Sequence, residues 1–353
     1  MSIVERLKQD LSYLPDRGGP AQPLLIVRDL VKYFPIKGGL FGRSGMVQAV
    51  DGLDFEIRKG ETLGIVGESG CGKSTASRLI MALLGMTRGE IIFDGEAVGS
   101  RALPLKEYRR QVQMVFQDSY ASLNPRLTIE ESIAFGPMVH GLARSAAIQR
   151  AHELLVAVGM APGQFARRYP HELSGGQRQR INIARALALR PRMLILDEPV
   201  SALDKSVEAQ VLNMLVDLKD QFGLTYLFIS HDLNVVQHIA DRVLVMYLGR
   251  IAEIGPVDGI FDKPQHPYTQ ALLASRPSMD PDLRRTEPPI TGDPPNPVNP
   301  PSGCRFRTRC RLAEDICAHD VPVMTAVDTL HQVACHAVEP DSGHSLAPQE
   351  VVA

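Results

Sequence analysis

No stretch of the 353 residues contains the roughly 18 to 20 uninterrupted apolar residues that span a bilayer. A secretory leader is missing as well. Met1–Asp16 carries Glu5, Arg6, Lys8 and Asp10, with no apolar core and no small-residue cleavage site. The sequence therefore predicts a protein that stays in the cytoplasm, with any membrane role coming through a partner. An excess of one charge is also absent. The formal net charge is −2, which excludes a wholly basic nucleic-acid binder and leaves only local basic patches. The chain shows neither an internal repeat nor a heptad run. Cysteine is almost absent before Gly303, where Cys71 stands alone. Cys304, Cys310, Cys317 and Cys335 then crowd one region. In a reducing compartment such crowding points to metal or cluster ligation ahead of disulfides. What remains is ordinary globular composition, 44% hydrophobic and 22% charged, in a chain long enough for two or three domains.

Apolar runs place strands at Leu24–Val27, Val47–Ile57, Thr62–Val66, Gln113–Phe116, Met193–Leu196, Thr225–Ile229 and Arg242–Tyr247. The second run alternates, with a break at Asp51. Lys37–Ser44, rich in glycine and basic residues, reads as a surface loop. Helical patterns, such as Ala76–Leu84, separate most of the strands. This alternation predicts an α/β fold around a largely parallel sheet. Residues 118–189 carry little strand signal. There Ala146–Val158 sets Ile148, Ala151, Leu154, Leu155 and Val158 on one helical face. That interval predicts an inserted helical subdomain; the alternative is more α/β helices joined by long loops. Pro277–Pro301 holds nine prolines in 25 residues, which excludes regular helix and central strand. The expected organisation is an N-terminal segment over 1–22, an α/β domain over 23–258 and a small cysteine-rich extension over 259–353.

Gly67-Glu-Ser-Gly-Cys-Gly-Lys73-Ser74 matches G-x-x-x-x-G-K-[ST] between a strand and a helix. Glycines let backbone N–H groups turn inward around phosphates without Cβ clashes. A helix starting near Lys73 adds free N–H groups and about half a positive charge. Gly67, Ser69, Gly70, Cys71, Gly72, Lys73, Ser74 and Thr75 are the expected phosphate cradle. Lys73 reaches the β- and γ-phosphates, and Ser74 offers a hydroxyl to Mg²⁺. Cys71 is either an oxidisable thiol or a small filler. Met193–Leu196 ends in Asp197-Glu198, where Asp197 can hold Mg²⁺ and Glu198 can polarise an attacking water. Leu173-Ser174-Gly175-Gly176-Gln177 precedes another helix and forms a second anion-binding start. One nucleotide has no use for two phosphate cradles, so the second is expected to face ATP held by another subunit.

With Gln117 in Val-Phe-Gln, Ser201-Ala-Leu-Asp204 and His231 in Ile-Ser-His-Asp, these motifs resemble, in order over Leu24–Gly255, the nucleotide-binding subunits of ABC transporters. The resemblance implies a P-loop ATPase core with ATP and Mg²⁺ as ligands. It implies that Tyr33 stacks on adenine and that Gln117 touches Mg²⁺ and the attacking water. Ser174, Gly175, Gly176 and Gln177 would contact the opposite subunit's ATP, and Asp204 would link the two sites. Glu198 would be the general base and His231 the γ-phosphate sensor. Gln117 and the loop to Arg126 would meet the transmembrane partner. The subunit would sit peripherally on the cytoplasmic face of the membrane, paired with a second ATPase, expected to be a different chain. Two permease subunits and an extracytoplasmic solute-binding protein would complete the system, with no nucleic acid involved.

Tyr33–Gly42, His266-Pro-Tyr-Thr269 and Gly303-Cys-Arg-Phe further resemble the dipeptide/oligopeptide importers, especially the second of their paired ATPases. Ser119 departs from the proline that many relatives carry there. Import of di- and oligopeptides is thus the implied function. The alternatives are a nickel or glutathione importer, or a soluble ABC ATPase of DNA repair or translation, against which the single motif set speaks. The cysteine spacing C-x5-C-x6-C-x17-C suits a [4Fe–4S] cluster or tetrahedral zinc, and free or disulfide-bonded thiols remain open. His319, His331 and His336 are spare ligands. The resemblance favours the cluster, since some peptide importers carry one in this extension. Arg305, Arg307, Arg309 and Arg311 read as a solvated, strand-like alternating face, or as a patch for an acidic partner.

Overall fold

The computed structural model describes residues 19, 22–36, 45–276, 292–293 and 295–349. The expected loop Lys37–Ser44, nearly all of the 1–22 segment and residues 277–291 of the Pro-rich stretch lie outside the described residues.

The chain opens with β1 (Leu25–Ile36), β2 (Gly45–Ile57) and β3 (Thr62–Val66), followed by α1 (Lys73–Ile80), β4 (Arg88–Phe93), β5 (Glu96–Ala97), α2 (Leu105–Gln111) and β6 (Val112–Val115). Four helices then run without an intervening strand: α3 (Ile129–Val139), α4 (Arg144–Ala157), α5 (Pro162–Phe165) and α6 (Gly175–Leu187). Next come β7 (Met193–Asp197), α7 (Lys205–Phe222), β8 (Thr225–Ile229), α8 (Leu233–Ile239), β9 (Arg242–Tyr247) and β10 (Arg250–Pro256). Last are α9 (Val257–Asp262), α10 (Pro267–Ala274), α11 (Ile316–His319), β11 (Thr325–Asp328) and β12 (His331–Val333).

Two sheets result. One is antiparallel, in the order β2-β1-β4-β5; the other runs β11-β12-β10-β9-β3-β8-β7-β6. In the second, β9, β3, β8, β7 and β6 are parallel. Their short, continuously apolar runs are what a sheet covered on both faces requires. Alternate residues enter different cores. Leu63, Ile65, Met193 and Ile195 pack toward the antiparallel sheet, whereas Val66, Leu194 and Leu196 pack toward the helices. In α4, Ala151, Leu154 and Leu155 are buried, as the helical spacing requires.

Two boundaries differ from the sequence reading. β1 extends to Ile36, so Tyr33 lies within a strand. The charged pair Arg28-Asp29 marks a bulge where Asp29 takes φ 42° and the alternation slips by one. α1 stops at Ile80 because Ala82 takes φ 55°. β12 pairs antiparallel with β10, so the C-terminal region adds strands to the main sheet.

Candidate nucleotide site

β3 ends at Val66, and the loop that follows turns on Gly67, Gly70 and Gly72 at φ 151°, 78° and 107°. A Cβ at Gly67 would collide with the Met246 carbonyl, and one at Gly72 with the Ala49 carbonyl. The loop is therefore wedged between β2 and β9, and glycine is required at both positions. Gly72 caps α1 without a side chain, which leaves the first N–H groups free for an anion. Lys73, 6% exposed, donates to the carbonyls of Gly67 (2.6 Å) and Glu68 (2.9 Å). An entering phosphate competes with these neutral acceptors. Cys71 is buried, and burial raises its thiol pKa, which suits a packing role.

The remaining groups lie at the carboxyl ends of adjacent parallel strands, where open α/β sheets place their ligands. Asp197 closes β7, 3% exposed, and accepts from Ser74 Oγ at 3.1 Å. Burial raises its pKa against the opposing effect of Ser74. A buried carboxylate beside a hydroxyl at the phosphate loop fits a divalent cation, and Mg²⁺ would be held by Ser74 and Asp197. Glu198 follows in the left-handed region at φ 50°, its N–H bonded to the Ile229 carbonyl at 2.9 Å. That backbone costs a non-glycine residue about 1–2 kcal/mol. In this conformation the carboxylate meets Gln117 Nε2 (2.9 Å) beyond β6 and His231 Nδ1 (3.3 Å) beyond β8. Gln117, Glu198 and His231, spread over 115 positions of sequence, thus form one cluster.

Leu173–Gln177 lies at the start of α6. Ser174 Oγ accepts from Gln177 N–H (3.3 Å), and Gln177 Oε1 accepts from Ser174 N–H (3.0 Å), a reciprocal cap. A Cβ on Gly176 would strike Val207 in the first turn of α7, while Gly175 faces Leu203. The start of α6 is therefore packed against Leu203 and Val207, which flank Asp204 at the start of α7.

Tyr33 does not stand free. Its hydroxyl bonds Asp51, and Gln48 lies opposite it on β2. Asp51, the break in the β2 alternation, is also paired with Arg250 (2.8 Å) and with buried Arg305, which reaches Gln48 and the Leu248 carbonyl as well. Burial alone would raise the Asp51 pKa, but Tyr33, Arg250 and Arg305 outweigh it and leave it lowered.

The solvated arginine face is thereby corrected. Arg307–Arg309 is a 3₁₀ turn, Arg305 is 7% exposed, and the Arg309 guanidinium forks onto Glu68 of the phosphate loop (2.8 and 3.1 Å). Burial of arginine is disfavoured without a carboxylate partner, and Asp51 and Glu68 are those partners. The strand reading missed this because the alternation of arginine with Phe306, Thr308 and Cys310 comes from a turn. The one sequence signal was Asp51, an acid at an inward position.

The cysteines are free thiols. Burial raises Cys304 to about 11 and Cys335 to about 12, and for each the other cysteines nearby add to the rise. The Cys304 N–H donates to the Cys317 carbonyl at 2.9 Å, which brings those two backbones together. Among the described residues, however, no group of three or more His, Cys, Asp or Glu side chains is arranged to hold a metal ion. The spare histidines are engaged elsewhere: His319 with the Asp315 carbonyl, His331 with Glu253 and His336 with Glu339 and the Asp320 carbonyl.

Among the described residues no helix is long and apolar enough to cross a membrane. The family described as "ABC transporter" matches residues 50–201, and "Oligopeptide/dipeptide transporter, C-terminal region" matches residues 252–317. The chain is 51% identical over 321 residues to the oligopeptide transport ATP-binding protein AppF of Bacillus subtilis, covering 89% of this chain and 97% of that one. It is 46% identical over 320 residues to the di/tripeptide transport ATP-binding protein DppF of Pseudomonas aeruginosa, covering 90% and 98%. A solved dimeric ATP-binding cassette in a post-hydrolysis state with ADP and Pi matches at TM-score 0.58 and 29% identity, over 66% of this chain and 98% of that one. A fold with a phosphate loop, an acid pair and a capped second cradle, together with matches spanning nearly the whole chain, leads to one conclusion: this chain is an ATPase of the ABC transporter family, in its oligopeptide/dipeptide branch.

Proposed function

We propose that the chain powers the import of di- and oligopeptides by hydrolysing ATP beneath two membrane-spanning permease subunits, with a solute-binding protein delivering the peptide. The chain itself would lie on the cytoplasmic face of the membrane. The observation that carries the site chemistry is the convergence of Gln117, Asp197, Glu198 and His231 on the side of the sheet where the phosphate loop binds. The names of the relatives support the peptide cargo.

In the proposed reaction, water attacks the γ-phosphorus in line, the bond to the β–γ bridging oxygen breaks, and ADP leaves. Glu198 accepts the water's proton. Gln117, already bonded to its carboxylate, and His231, whose Nδ1 lies 3.3 Å from it, orient it, and His231 senses the γ-phosphate. Lys73 and the loop N–H groups gather the negative charge that develops on the phosphoryl oxygens. Ser74, Asp197 and Gln117 would hold Mg²⁺, which would supply neutralisation of the phosphate charge. Ser174, Gly175, Gly176 and Gln177 complete the site on the opposite subunit's ATP, and Asp204 couples the two sites. The proposed partner is a second, different ATPase chain.

Tyr33 is proposed to stack on adenine; doing so requires its hydroxyl to remain on, or release, Asp51 without moving β1. The cysteines are proposed to hold a [4Fe–4S] cluster, with zinc as the other occupant. The C-x5-C-x6-C-x17-C spacing and the backbone bond between Cys304 and Cys317 support ligation, and the four sulfurs would have to close into a ligand set. Iron and acid-labile sulfide in anaerobically purified protein test this; colourless protein with stoichiometric zinc would sink the cluster.

Ser174→Ala tests the second cradle. Expected is ATP binding like that of the unmodified chain, with turnover in the assembled transporter reduced by about 10²-fold. Unchanged turnover would remove the cradle from the reaction. Co-purification with the membrane subunits and identification of the solute-binding protein's ligand test the cargo, and a nickel or glutathione ligand would overturn the peptide assignment.

A further inference from the structure

We propose that Arg309 is a positioning residue for the phosphate loop, holding Glu68 so that the C-terminal region sets the affinity of the site for ATP. The proposal rests on the reading of Gly67–Ser74 as the nucleotide cradle.

Glu68 occupies one of the loop positions at which the phosphate pattern asks nothing of the side chain. Every polar part of it is nonetheless engaged. Its N–H donates to the Tyr268 hydroxyl at 2.8 Å. Its carbonyl accepts from the Lys73 ammonium at 2.9 Å. Its carboxylate receives both forks of Arg309, at 2.8 and 3.1 Å. Arg309 and Tyr268 come from the C-terminal region, and Lys73 is the loop's own phosphate ligand.

This is not a solvated surface pair. The side chains of Arg309 and Glu68 are 6% and 21% exposed. Arg309 Nη1 also lies 3.5 Å from the Tyr247 hydroxyl. The rings of Tyr247, Tyr268 and Phe306 pack together with centroids 4.6, 5.2 and 5.3 Å apart, and the hydroxyls of the two tyrosines face the pair. Arg309 closes the turn that begins after Phe306, with its N–H on the Phe306 carbonyl at 2.9 Å. Cys304 and Cys310 bracket that turn in sequence. The Cys304 carbonyl accepts the Arg307 N–H at 3.1 Å, which ties the turn carrying the guanidinium to the backbone of that cysteine.

The electrostatic consequence follows directly. A carboxylate inside an anion cradle repels incoming phosphates. Arg309 neutralises it and, by bidentate geometry, holds it on the side of the loop facing Tyr247. Removing the guanidinium leaves a mostly buried, unpaired carboxylate beside the phosphates and loosens the peptide whose carbonyl orients Lys73. The loss falls on ATP binding, because Glu68 touches none of Asp197, Glu198, Gln117 or His231.

The experiment takes the Kd for Mg-ATP from calorimetry on the full-length chain, and KM and kcat from steady-state hydrolysis by the assembled transporter. Arg309→Ala is expected to raise Kd and KM about tenfold and to leave kcat within about twofold, as expected for losing a charged hydrogen bond made equally in ground and transition states. Arg309→Lys should recover part of the loss, since an ammonium cannot fork. Arg309→Ala combined with Glu68→Gln should bind ATP more tightly than Arg309→Ala alone, because the unpaired charge is gone. Arg311→Ala, which loses only a contact to Gln270, should bind normally. An unchanged Kd in Arg309→Ala would overturn the proposal, as would a double variant no better than the single one. Should Arg309→Ala not fold, the lysine variant carries the test, and a Kd like that of the unmodified chain overturns the proposal. Lys73→Ala separates the two levels. If it binds ATP normally, the cradle reading itself fails; if it loses ATP while Arg309→Ala does not, only the present proposal fails.

Discussion

Single residues from the C-terminal region reach far back along the chain to the ATPase core. Arg305 and Asp51 meet from positions 254 apart, and Arg309 and Glu68 from positions 241 apart. His266 shows a third such role. It caps α10 by accepting the Tyr268 N–H on Nδ1 at 3.0 Å, while Glu253 accepts the His266 N–H at 3.0 Å. Burial pushes the His266 imidazole down to about 4, against the opposing influence of Glu253. The unfolded chain, with a histidine near 6.5, then binds more protons between those values. Stability contributed by neutral His266 is present above pH 6.5 and is lost as pH falls toward 4. Between pH 7 and pH 5 the loss should be about 2 kcal/mol. Urea unfolding at both pH values checks this. His266→Asn keeps a capping acceptor and should flatten the dependence; an equal slope in the variant would show that His266 is not its source.

Elements were legible where a local rule set them. The apolar runs of β3, β7, β8 and β9 and the helix over 144–157 follow from pattern alone, because both ends of each argument lie in a short window. The phosphate loop was legible for the same reason. β1 was not, because the bulge at Asp29 breaks the alternation and its pairing with β2 lies beyond any local window. The turn at Arg307–Arg309 was misread because its true partners, Asp51 and Glu68, belong to the other end of the chain. The second cradle combines both cases. Its glycines read as an anion site, yet Gly176 is also required by the approach of α6 to α7, which no spacing reveals. Gly176→Ala would press its methyl into Val207, a stiff side chain on a helix, and should cost about 1–3 kcal/mol of stability. Thermal unfolding checks the loss, and adding Val207→Ala should recover part of it. A Gly176→Ala protein as stable as the parent would show that the helices move apart freely.

At the scale of the whole molecule, the main sheet is continuous from β6 to β11 and joins the strands behind the ATP chemistry to the hairpin near the cysteines. Glu253, fully buried in β10, accepts from Gln265 N–H, from His266 N–H and from the ring of His331 at the start of β12, so the C-terminal region completes the polar pairing of the core. Ending the chain at Pro301 would strip β10 of a neighbour and expose the faces of Tyr247 and Tyr268 that pack on Phe306. Such a truncation should unfold several degrees lower and aggregate on heating, consistent with the loss of a few kcal/mol in a chain of this size. A midpoint equal to that of the full chain would show the extension to be a mere attachment.

The central claim is that Gln117, Glu198 and His231 hydrolyse ATP held at Gly67–Ser74. Glu198→Gln tests it most directly, because the amide keeps the shape of the side chain and removes the base. In the assembled transporter, ATP binding should stay within a few-fold of the parent, while turnover falls by roughly 10²–10⁴-fold and the two ATPase subunits stay closed on their nucleotide. Near-normal turnover in that variant would contradict the account.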